Sequence, residues 1–579
     1  MRKNYYDVLK AIAIVAVVLY HVGICEYGYL GVDIFLVIAG YFTSQSFDKH
    51  AVNGGGYLSF MSNRLFRLWP LLLLAGIICL GYGSLMMLPD DFENTAQSVV
   101  ATNFFGNNIL ESITTKNYWD VGNEYKPLMH TWYVGLLMQY YVLVPFFLFV
   151  IYRIVKDVVL RKSINVLLMC LLCVISLVLY LIKEDACAKF YYLPYRLFEF
   201  CIGGLVFYLF GKNLGNISKN KFVNISFTMV YFVIIALLFN EIEIISRSSK
   251  LLIIVTLTCI LLYLMPRVEW AYGSFFSNRW FALIGAASFS IFVWHQLVLA
   301  IIRYSFTNDL TEILPMFVFV FITSLFSLFS YKYIEQIKNT RFVWLTCIVA
   351  LVFSTASSLY IYVNAGVVRD VPELDVKKGE AHRGIWAEYC DRGYKYDKEF
   401  TASETPKWFV IGNSFGRDFV NIILESGVTD SIEVSYSDMS KYKNQVNRFR
   451  MADIVFISTL GLKKELIEDV KARCSSHTRL FLIGEKNFGE NNGQIYRRRH
   501  SANYHNMTVK MEEGYAEKNE VLRAAYPNIY IDLIEMVRQS DGRVRVFTED
   551  GRFISQDCRH LTQAGAQFYA QLINWSIFH

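Results

Sequence analysis

Long apolar runs fill the first two thirds of the chain and constrain its fold more than any other feature. Eleven of them reach the roughly 17–25 residues that an α-helix needs to cross a bilayer. They cover residues 8–24, 30–46, 68–88, 129–151, 165–182, 191–210, 222–240, 250–266, 280–302, 312–331 and 342–363. No small-residue cleavage site follows the first run, so we interpret it as a span and not as a signal peptide. The pattern predicts an α-helical polytopic membrane domain of about 11 spans.

Charged residues divide the chain into two parts. They make up 18% of the 579 residues, against about 25% in ordinary soluble proteins. Residues 1–364 contain 26 Lys and Arg and 20 Asp and Glu, whereas residues 365–579 contain 30 of each kind. The composition excludes a disordered chain and argues against a purely soluble one. Since the net charge of +6 falls entirely in the apolar part, it does not indicate nucleic-acid binding.

The loop charges predict how the spans are oriented. If the N-terminus is cytoplasmic, the cytoplasmic segments hold 18 Lys and Arg and the opposite loops hold 7. Positive residues concentrate on the cytoplasmic side of membrane proteins. An odd number of spans then places residues 365–579 outside the cytoplasm, and a miscount of one span would reverse that placement.

Ionisable side chains inside spans are costly and indicate either a function or a structural pair. Six of them fall in the outer half of the predicted membrane, namely His21, Asp33, His130, Arg196, Glu199 and His295. Three further cations, Lys10, Arg64 and Arg67, fall at its inner boundary. Each set has a plainer interpretation. The histidines could be packing residues, Arg196 and Glu199 a neutralising pair at i and i+3, and the two arginines ordinary anchors.

Several motifs, in order, resemble the acyltransferase-3 family of membrane acyltransferases. Lys10 and His21 are similar to the family's basic residue and histidine separated by ten residues. Further similar segments are LGVDIFLVIAGYF (30–42), RLFRLWP (64–70), PLMHTW (127–132), YLPYRLFEFCIGG (192–204), SFSIFVWHQ (288–296) and SYKYIEQ (330–336). The resemblance implies a membrane domain over residues 1–340, an acyl-coenzyme A donor and a cell-surface glycan acceptor. It departs from the family at Leu137 and Met138, where acidic residues are expected.

Strand and helix patterns alternate in the polar part of the chain. Residues 341–406 are predicted to hold the eleventh span and a linker. Apolar segments at 407–411, 432–437, 453–459, 479–484 and 529–533 indicate strands, and segments at 417–427, 462–474 and 561–575 indicate helices. Alternation of this kind predicts a soluble α/β/α domain with a parallel sheet over residues 407–579.

Two motifs at opposite ends of this domain point to acyl transfer. Ser414 follows the first strand and opens a helix, a turn that exposes a nucleophilic hydroxyl beside a helix N-terminus. Asp557 and His560 lie three residues apart before the last helix, so that the carboxylate can orient the imidazole that takes the serine proton. A helix-capping serine and an unrelated surface loop are the plainer alternatives.

Together these two motifs resemble the SGNH hydrolase family, with Asn413 in place of the usual aspartate. The resemblance implies oxyanion donors as well, for which Gly461 and Asn487 are the best-placed candidates. The 11 cysteines show no metal-ligand spacing, and we predict no metal. One disulfide is possible among Cys390, Cys474 and Cys558, for example between Cys390 and Cys558, and Cys558 could instead be free.

The sequence therefore predicts an O-acyltransferase of a bacterial surface polysaccharide such as O-antigen, with an acetyl group as the expected cargo. No permanent cofactor is expected, because acetyl-CoA would be the donor substrate. The predicted catalytic residues are His21, Asp33, Glu199, Ser414, Asp557 and His560, and the predicted substrate-binding residues are Lys10, Arg64, Arg67, His130, Arg196, His295, Gly461 and Asn487. The protein is expected in the bacterial inner membrane, with the bilayer and no nucleic acid as partner. The alternative is a glycan or lipid transporter with an appended esterase, although the sequence has no inverted repeat.

The charge bias yields a topological prediction. Alkaline phosphatase fused after residue 400 should be active, because that enzyme folds only outside the cytoplasm. A fusion after Lys49 should be inactive and serves as the control. Inactivity of the first fusion at normal protein levels would contradict the predicted orientation.

Overall fold

A computed structural model describes residues 5–115, 123–211, 221–240, 246–268, 278–306, 310, 312–489 and 491–578. The chain forms two compact units. The first comprises Met1–Leu85 with Asn94–Leu359, and the second Met86–Glu93 with Tyr360–His579. Arg2, Lys3, Lys116, Lys212 and Lys219, which contribute to the predicted charge bias, lie outside the described residues.

Helices make up the first unit. In chain order they are α1 (Tyr5–Val22), α2 (Gly31–Val52), α3 (Tyr57–Met86), α4 (Pro89–Asn103), α5 (Asn107–Thr114), α6 (Trp132–Ile154), α7 (Val158–Ile182), α8 (Ala186–Tyr191), α9 (Leu193–Phe210), α10 (Lys221–Phe239), α11 (Arg247–Leu264), α12 (Arg279–Ala286), α13 (Ser288–Ser305), α14 (Ile313–Tyr333) and α15 (Arg341–Val363). The last residue of α3, the last turn of α15 and the start of α4 belong to the second unit.

Ten helical segments in the described part of the chain are long and apolar enough to cross a membrane. The predicted span at 280–302 is instead a pair of helices, α12 and α13, bent by 69°. If this pair counts as one span, the total is the eleven that the sequence predicts. The protein is therefore a multi-pass membrane protein, and the predicted fold class is confirmed for this unit.

A half-buried carboxylate caps the helix that follows this bend. Glu335 accepts hydrogen bonds from the backbone amide of Ser290, at 3.1 Å, and from the Ser290 hydroxyl. The first amides of a helix have no partner within it, so an acceptor there stabilises a helix start inside the bundle. Ala287 at the break has φ −87° and ψ 7°, outside the helical range.

Helices α2 and α9 pack closely against each other. A Cβ atom on Gly40 would lie 1.9 Å from the carbonyl oxygen of Phe200, and one on Gly203 would lie 2.0 Å from that of Val37. Small residues allow such backbone approach in membrane helices. One consequence is that Asp33 of α2 reaches the side chain of Arg196 on α9.

The second unit is an α/β domain. Its strands are β1 (Lys407–Gly412), β2 (Glu433–Asp438), β3 (Ile454–Ser458), β4 (Arg479–Ile483), β5 (Thr508–Val509), β6 (Tyr530–Ile531) and β7 (Val544–Arg545). Its helices are α16 (Ile385–Asp391), α17 (Ser414–Glu425), α18 (Val446–Met451), α19 (Lys464–Arg473), α20 (Gly493–Tyr496), α21 (Tyr515–Ala525) and α22 (Gln563–Leu572). Five strands form one parallel sheet in the order β2-β1-β3-β4-β6. The predicted parallel sheet is confirmed.

Two segments outside residues 407–579 contribute to the second unit. Leu88, from the polar loop that the sequence places in the membrane domain, is buried in its hydrophobic core together with Val371. Arg369 donates a 2.5 Å hydrogen bond to the carbonyl oxygen of Met87. The stretch predicted as a linker is therefore folded, because its apolar side chains find burial against the sheet domain.

Candidate active sites

The turn that carries Ser414 is held by neighbouring side chains. The Tyr436 hydroxyl donates to the carbonyl oxygen of Gly412 at 2.9 Å, and the Asn413 side chain accepts from the Phe415 amide at 3.0 Å. Gly412 has no room for a side chain, because an added Cβ would lie 2.0 Å from the Ser458 carbonyl oxygen. The turn thus places Ser414 at the carboxyl end of β1 and at the first position of α17.

Ser414, His560 and Asp557 form a hydrogen-bonded triad. His560 Nε2 lies 2.9 Å from Ser414 Oγ, and His560 Nδ1 lies 2.5 Å from Asp557 Oδ2. Asp557 Oδ1 also accepts from the amides of His560 and Arg559, at 2.7 and 3.0 Å. Burial acts to raise the pKa of Asp557, but the imidazole and these amides outweigh it and lower that pKa below its usual range. The arrangement suits proton transfer from a nucleophilic serine.

A buried ion pair supports this triad, and sequence reasoning missed it. Lys486 Nζ lies 2.7 Å from Asp418 Oδ2, with the side chains 1% and 3% exposed. The ammonium group lies 3.9 Å from the centre of the Phe415 ring, and that ring contacts His560. Asp418 also accepts from the amide of Leu561 at 3.3 Å. The pair therefore joins the serine helix to the histidine loop.

The two candidate oxyanion donors, the Gly461 amide and the Asn487 side-chain amide, differ in their hydrogen bonding. The amide of Gly461 donates to Glu485 at 2.5 Å, and the side-chain oxygen of Asn487 accepts from the amides of Gly489 and Glu512 at 3.0 Å each. Gly461 has φ +68°, in the left-handed region that favours glycine. The Gly461 amide is thus already paired, whereas Asn487 Nδ2, the group that would donate to an oxyanion, is buried without a hydrogen-bond partner among the described residues. The predicted role of both residues in binding an oxyanion stays a prediction.

The predicted disulfide is wrong, because Cys390 and Cys558 are both free thiols. Burial and the nearby carboxylate of Asp557 raise the pKa of both thiols, so that the reactive thiolate is disfavoured. The Cys558 thiol donates to the side-chain oxygen of Asn492 at 3.3 Å.

In the membrane unit, the three predicted histidines lie together. The His295 ring is 5.3 Å from that of His21 and 5.4 Å from that of His130, between ring centres. His295 Nδ1 lies 2.7 Å from the carbonyl oxygen of Phe292, whereas its buried Nε2 has no hydrogen-bond partner among the described residues. His21 and His130 line a cavity of about 410 Å³, which we call the histidine cavity.

Two charged residues that the sequence did not single out also line the histidine cavity. They are Glu124, on a short turn before α6, and Arg303 on α13. Arg303 donates a 2.7 Å hydrogen bond to the carbonyl oxygen of His21. Glu124 is the one carboxylate among the described lining residues. Nothing in the sequence separates it from the other acidic residues of its loop, so only the fold could identify it.

The remaining predicted residues of the outer layer form a separate ionic cluster. Arg196 lies 2.8 Å from Asp33 and 3.2 Å from Glu199, and all three are at most 3% exposed. The predicted pair of Arg196 and Glu199 is present, with Asp33 as a third member. None of the three lines the histidine cavity. A catalytic role for Asp33 or Glu199 therefore stays a prediction. A structural role, as the carboxylates that pair with Arg196, accounts for their geometry.

The predicted inner cations lie around a second cavity, of about 390 Å³, which we call the basic cavity. Lys10, Arg64 and Arg67 line it together with Lys49, and none of its described lining residues is acidic. Lys10 is paired with Asp7 at 3.0 Å. One guanidinium nitrogen of Arg64 is buried without a hydrogen-bond partner among the described residues. A concave site with these cations suits a ligand with several phosphates.

Comparison with known proteins agrees with this geometry. A family model described as an acyltransferase domain matches residues 3–332. The chain is 25% identical over 305 residues to the peptidoglycan O-acetyltransferase OatA of Listeria monocytogenes, covering 51% of this chain and 49% of the relative. It is 22% identical over 343 residues to the O-acetyltransferase OatA of Staphylococcus aureus, covering 57% and 56%. No solved structure matches the chain significantly.

Because the family model covers more than half of its residues, the chain belongs to the acyltransferase-3 family. The motifs that carry the resemblance in the sequence all lie inside the matched region or overlap its end. The chain spans about half the length of the curated relatives that it matches.

The buried ion pair behind the triad leads to a stability prediction. Lys486→Met should destabilise the second unit by about 3–5 kcal/mol, because Asp418 would keep its charge in an apolar setting without a partner. Thermal unfolding of the purified full chain, followed by proteolysis of the second unit, measures the effect. Lys464→Met breaks an exposed pair with Glu468 and is the matched control. Equal unfolding temperatures for the two variants would show that the ion pair does not support the fold.

Proposed function

We propose that the protein is an O-acyltransferase that moves an acetyl group from acetyl-CoA to hydroxyl groups of a bacterial cell-envelope glycan. The observation that carries the proposal is the placement of two sites on one helix. Lys10 in the basic cavity and His21 in the histidine cavity are eleven residues apart on α1. At 1.5 Å per residue they are about 16 Å apart along the helix axis, roughly half of an apolar bilayer core.

The basic cavity is the proposed donor site. Its four cations would bind the phosphates of coenzyme A, and Lys49 adds to the three that the sequence predicts. Under the predicted orientation this cavity opens toward the cytoplasm, where acyl-CoA is made. The unpartnered nitrogen of Arg64 supports an anionic ligand, because an unmatched buried donor is costly unless a ligand pairs with it.

The histidine cavity is the proposed first transfer site. Under this scheme an imidazole of the cluster attacks the thioester carbonyl, the carbon–sulfur bond breaks, and coenzyme A leaves as a thiol after taking a proton. The alternative is that His21 acts as a base for direct attack by a hydroxyl group. Glu124 and Arg303 at the cavity wall could orient the imidazoles or an incoming hydroxyl.

The second unit is proposed to complete the transfer as an SGNH-type domain. His560 takes the proton of Ser414 while the serine oxygen attacks the acyl carbonyl, and the bond to the previous carrier breaks. A sugar hydroxyl then attacks the acyl-serine, His560 accepts its proton, and the serine oxygen is protonated again as the ester forms on the sugar. The triad hydrogen bonds support this step.

The acceptor and the location complete the proposal. The name of the relative from Listeria makes peptidoglycan the first acceptor to test, ahead of O-antigen and exopolysaccharide. The protein would lie in the cytoplasmic membrane with its second unit outside the cytoplasm, which matches the charge bias and gives the triad access to an exported glycan.

Mutation of either site should abolish transfer. We expect His21→Ala and Ser414→Ala each to lower glycan O-acetylation by about 10²–10⁴-fold, the range for loss of an acid–base group or its nucleophile. Alkali-released acetate from purified envelope glycan measures the effect. His560→Ala combined with Ser414→Ala should be little worse than either change alone, because the residues act as one unit.

His50→Ala is the matched control, since His50 lines neither cavity and bonds to Gly56 and Ser59 near a loop. It should leave acetylation near its normal level. Normal acetylation in a well-inserted His21→Ala variant would mean that the histidine only packs. Normal acetylation with Ser414→Ala would instead favour direct transfer by the membrane unit.

A further inference from the structure

The two cavities of the membrane unit meet at one side chain. Phe292 on α13 lines both the basic cavity and the histidine cavity, and no other described residue lines both. It is 7% exposed. A group that moves directly between the cavities where their linings meet would pass this ring.

The ring of Phe292 is wedged between one neighbour from each cavity. Its centre is 4.9 Å from that of His130, which lines the histidine cavity, and 5.3 Å from that of Tyr133, which lines the basic cavity. Both contacts are edge-on, a favourable geometry for aromatic pairs. Displacement of the Phe292 ring would lose both contacts. The ring is therefore a packed partition between the two cavities.

The sequence of residues along α13 agrees with this placement of Phe292 between the two cavities. Phe289 lines the basic cavity, Phe292 lines both, and His295 belongs to the histidine cluster. Residues three apart lie on one side of a helix, separated by about 4.5 Å along its axis. One face of α13 therefore runs from the donor cavity to the histidines, with Phe292 in the middle.

We infer that Phe292 is the residue that sets the length of the acyl group, by forming a partition that a two-carbon acyl group can pass and longer ones cannot. This inference rests on the proposed function. A short acyl group needs only a small movement of the ring, whereas each further methylene must be accommodated between side chains that are already in contact. One methylene more or less in an apolar site changes selectivity by about 10–200-fold.

The test compares acyl groups of different length on the same acceptor. Permeabilised membranes from cells that naturally make the full chain, and so hold its own glycan, would receive acetyl-, propionyl-, butyryl- or hexanoyl-CoA. Acyl groups esterified to the polymer are then released with mild alkali and counted. We expect the wild type to transfer mainly acetyl groups. Phe292→Ala should raise the ratio of butyryl to acetyl transfer by about 10-fold or more.

Two further variants keep the test decisive. Phe292→Leu retains more of the packing and should give a smaller change in the same direction, so it decides the matter if the alanine variant fails to insert. Phe319→Ala removes another buried ring, on α14, which is 2% exposed and lines neither cavity, and should leave the ratio unchanged.

The possible failures are distinguishable. A wild-type protein that transfers no acyl group from any of the four donors would overturn the proposed function and, with it, the partition. Acetyl transfer with an unchanged butyryl-to-acetyl ratio in both Phe292 variants would overturn the partition alone. A rise of the same size in Phe319→Ala would do so too, because it would trace the effect to general loosening of the bundle.

Discussion

Burying a charge inside a bundle of apolar helices is costly. The way in which this protein pairs its buried charges determines where its sites can lie. Arg196 sits between Asp33 and Glu199 with all three nearly inaccessible to water. An isolated charge at that depth would favour another fold or a neutral form. Arg196 forms ion pairs with Glu199 on its own helix and with Asp33 on α2, so the cluster links α2 to α9. The second unit also pairs its buried charges, because Lys486 and Asp418 form an ion pair next to the triad.

Other ionisable groups of the membrane unit line its two cavities. Cations line the basic cavity and imidazoles line the histidine cavity. Among the described residues, Phe292 alone lines both. This separation suits a donor that is highly charged at one end and carries a small acyl group at the other. The charged end would stay in the first cavity while only the acyl group reaches the second. The Ser414 triad would be a third site, after the two cavities. It lies in a polar domain, where an ester can form on a sugar.

Much of this architecture could be predicted from the sequence, because apolar periodicity and motif spacing reflect local physics. The spans, the parallel sheet and the pairing of Ser414 with Asp557 and His560 follow from such patterns. The sequence also placed His21 and Asp33 in one layer of the membrane, but depth does not determine which neighbour a side chain meets. Only helix packing, through the close approach of α2 and α9, assigns one to a cavity and the other to an ion cluster.

Other features depend on contacts that no local pattern encodes. Phe292 resembles any other aromatic residue of a span until two cavities are seen to meet at it. Lys486 lies in a polar stretch and gives no sign of burial, and Leu88 sits in a loop that sequence reasoning assigned to the other unit. The bend at Ala287 was missed because the apolar run continues across it, while the acceptor that caps the new helix, Glu335, is far away in the chain.

The central claim is that an acyl group passes from acyl-CoA through the histidine cavity to Ser414. The most direct test is mass spectrometry of the full chain in its membranes after a brief pulse of isotopically labelled acetyl-CoA, stopped rapidly with acid so that an acyl-serine ester is retained. The account predicts a labelled acetyl ester on Ser414, and its loss when His21→Ala is added. Label on Ser414 that does not depend on His21, or glycan that is labelled while Ser414 never is, would contradict it.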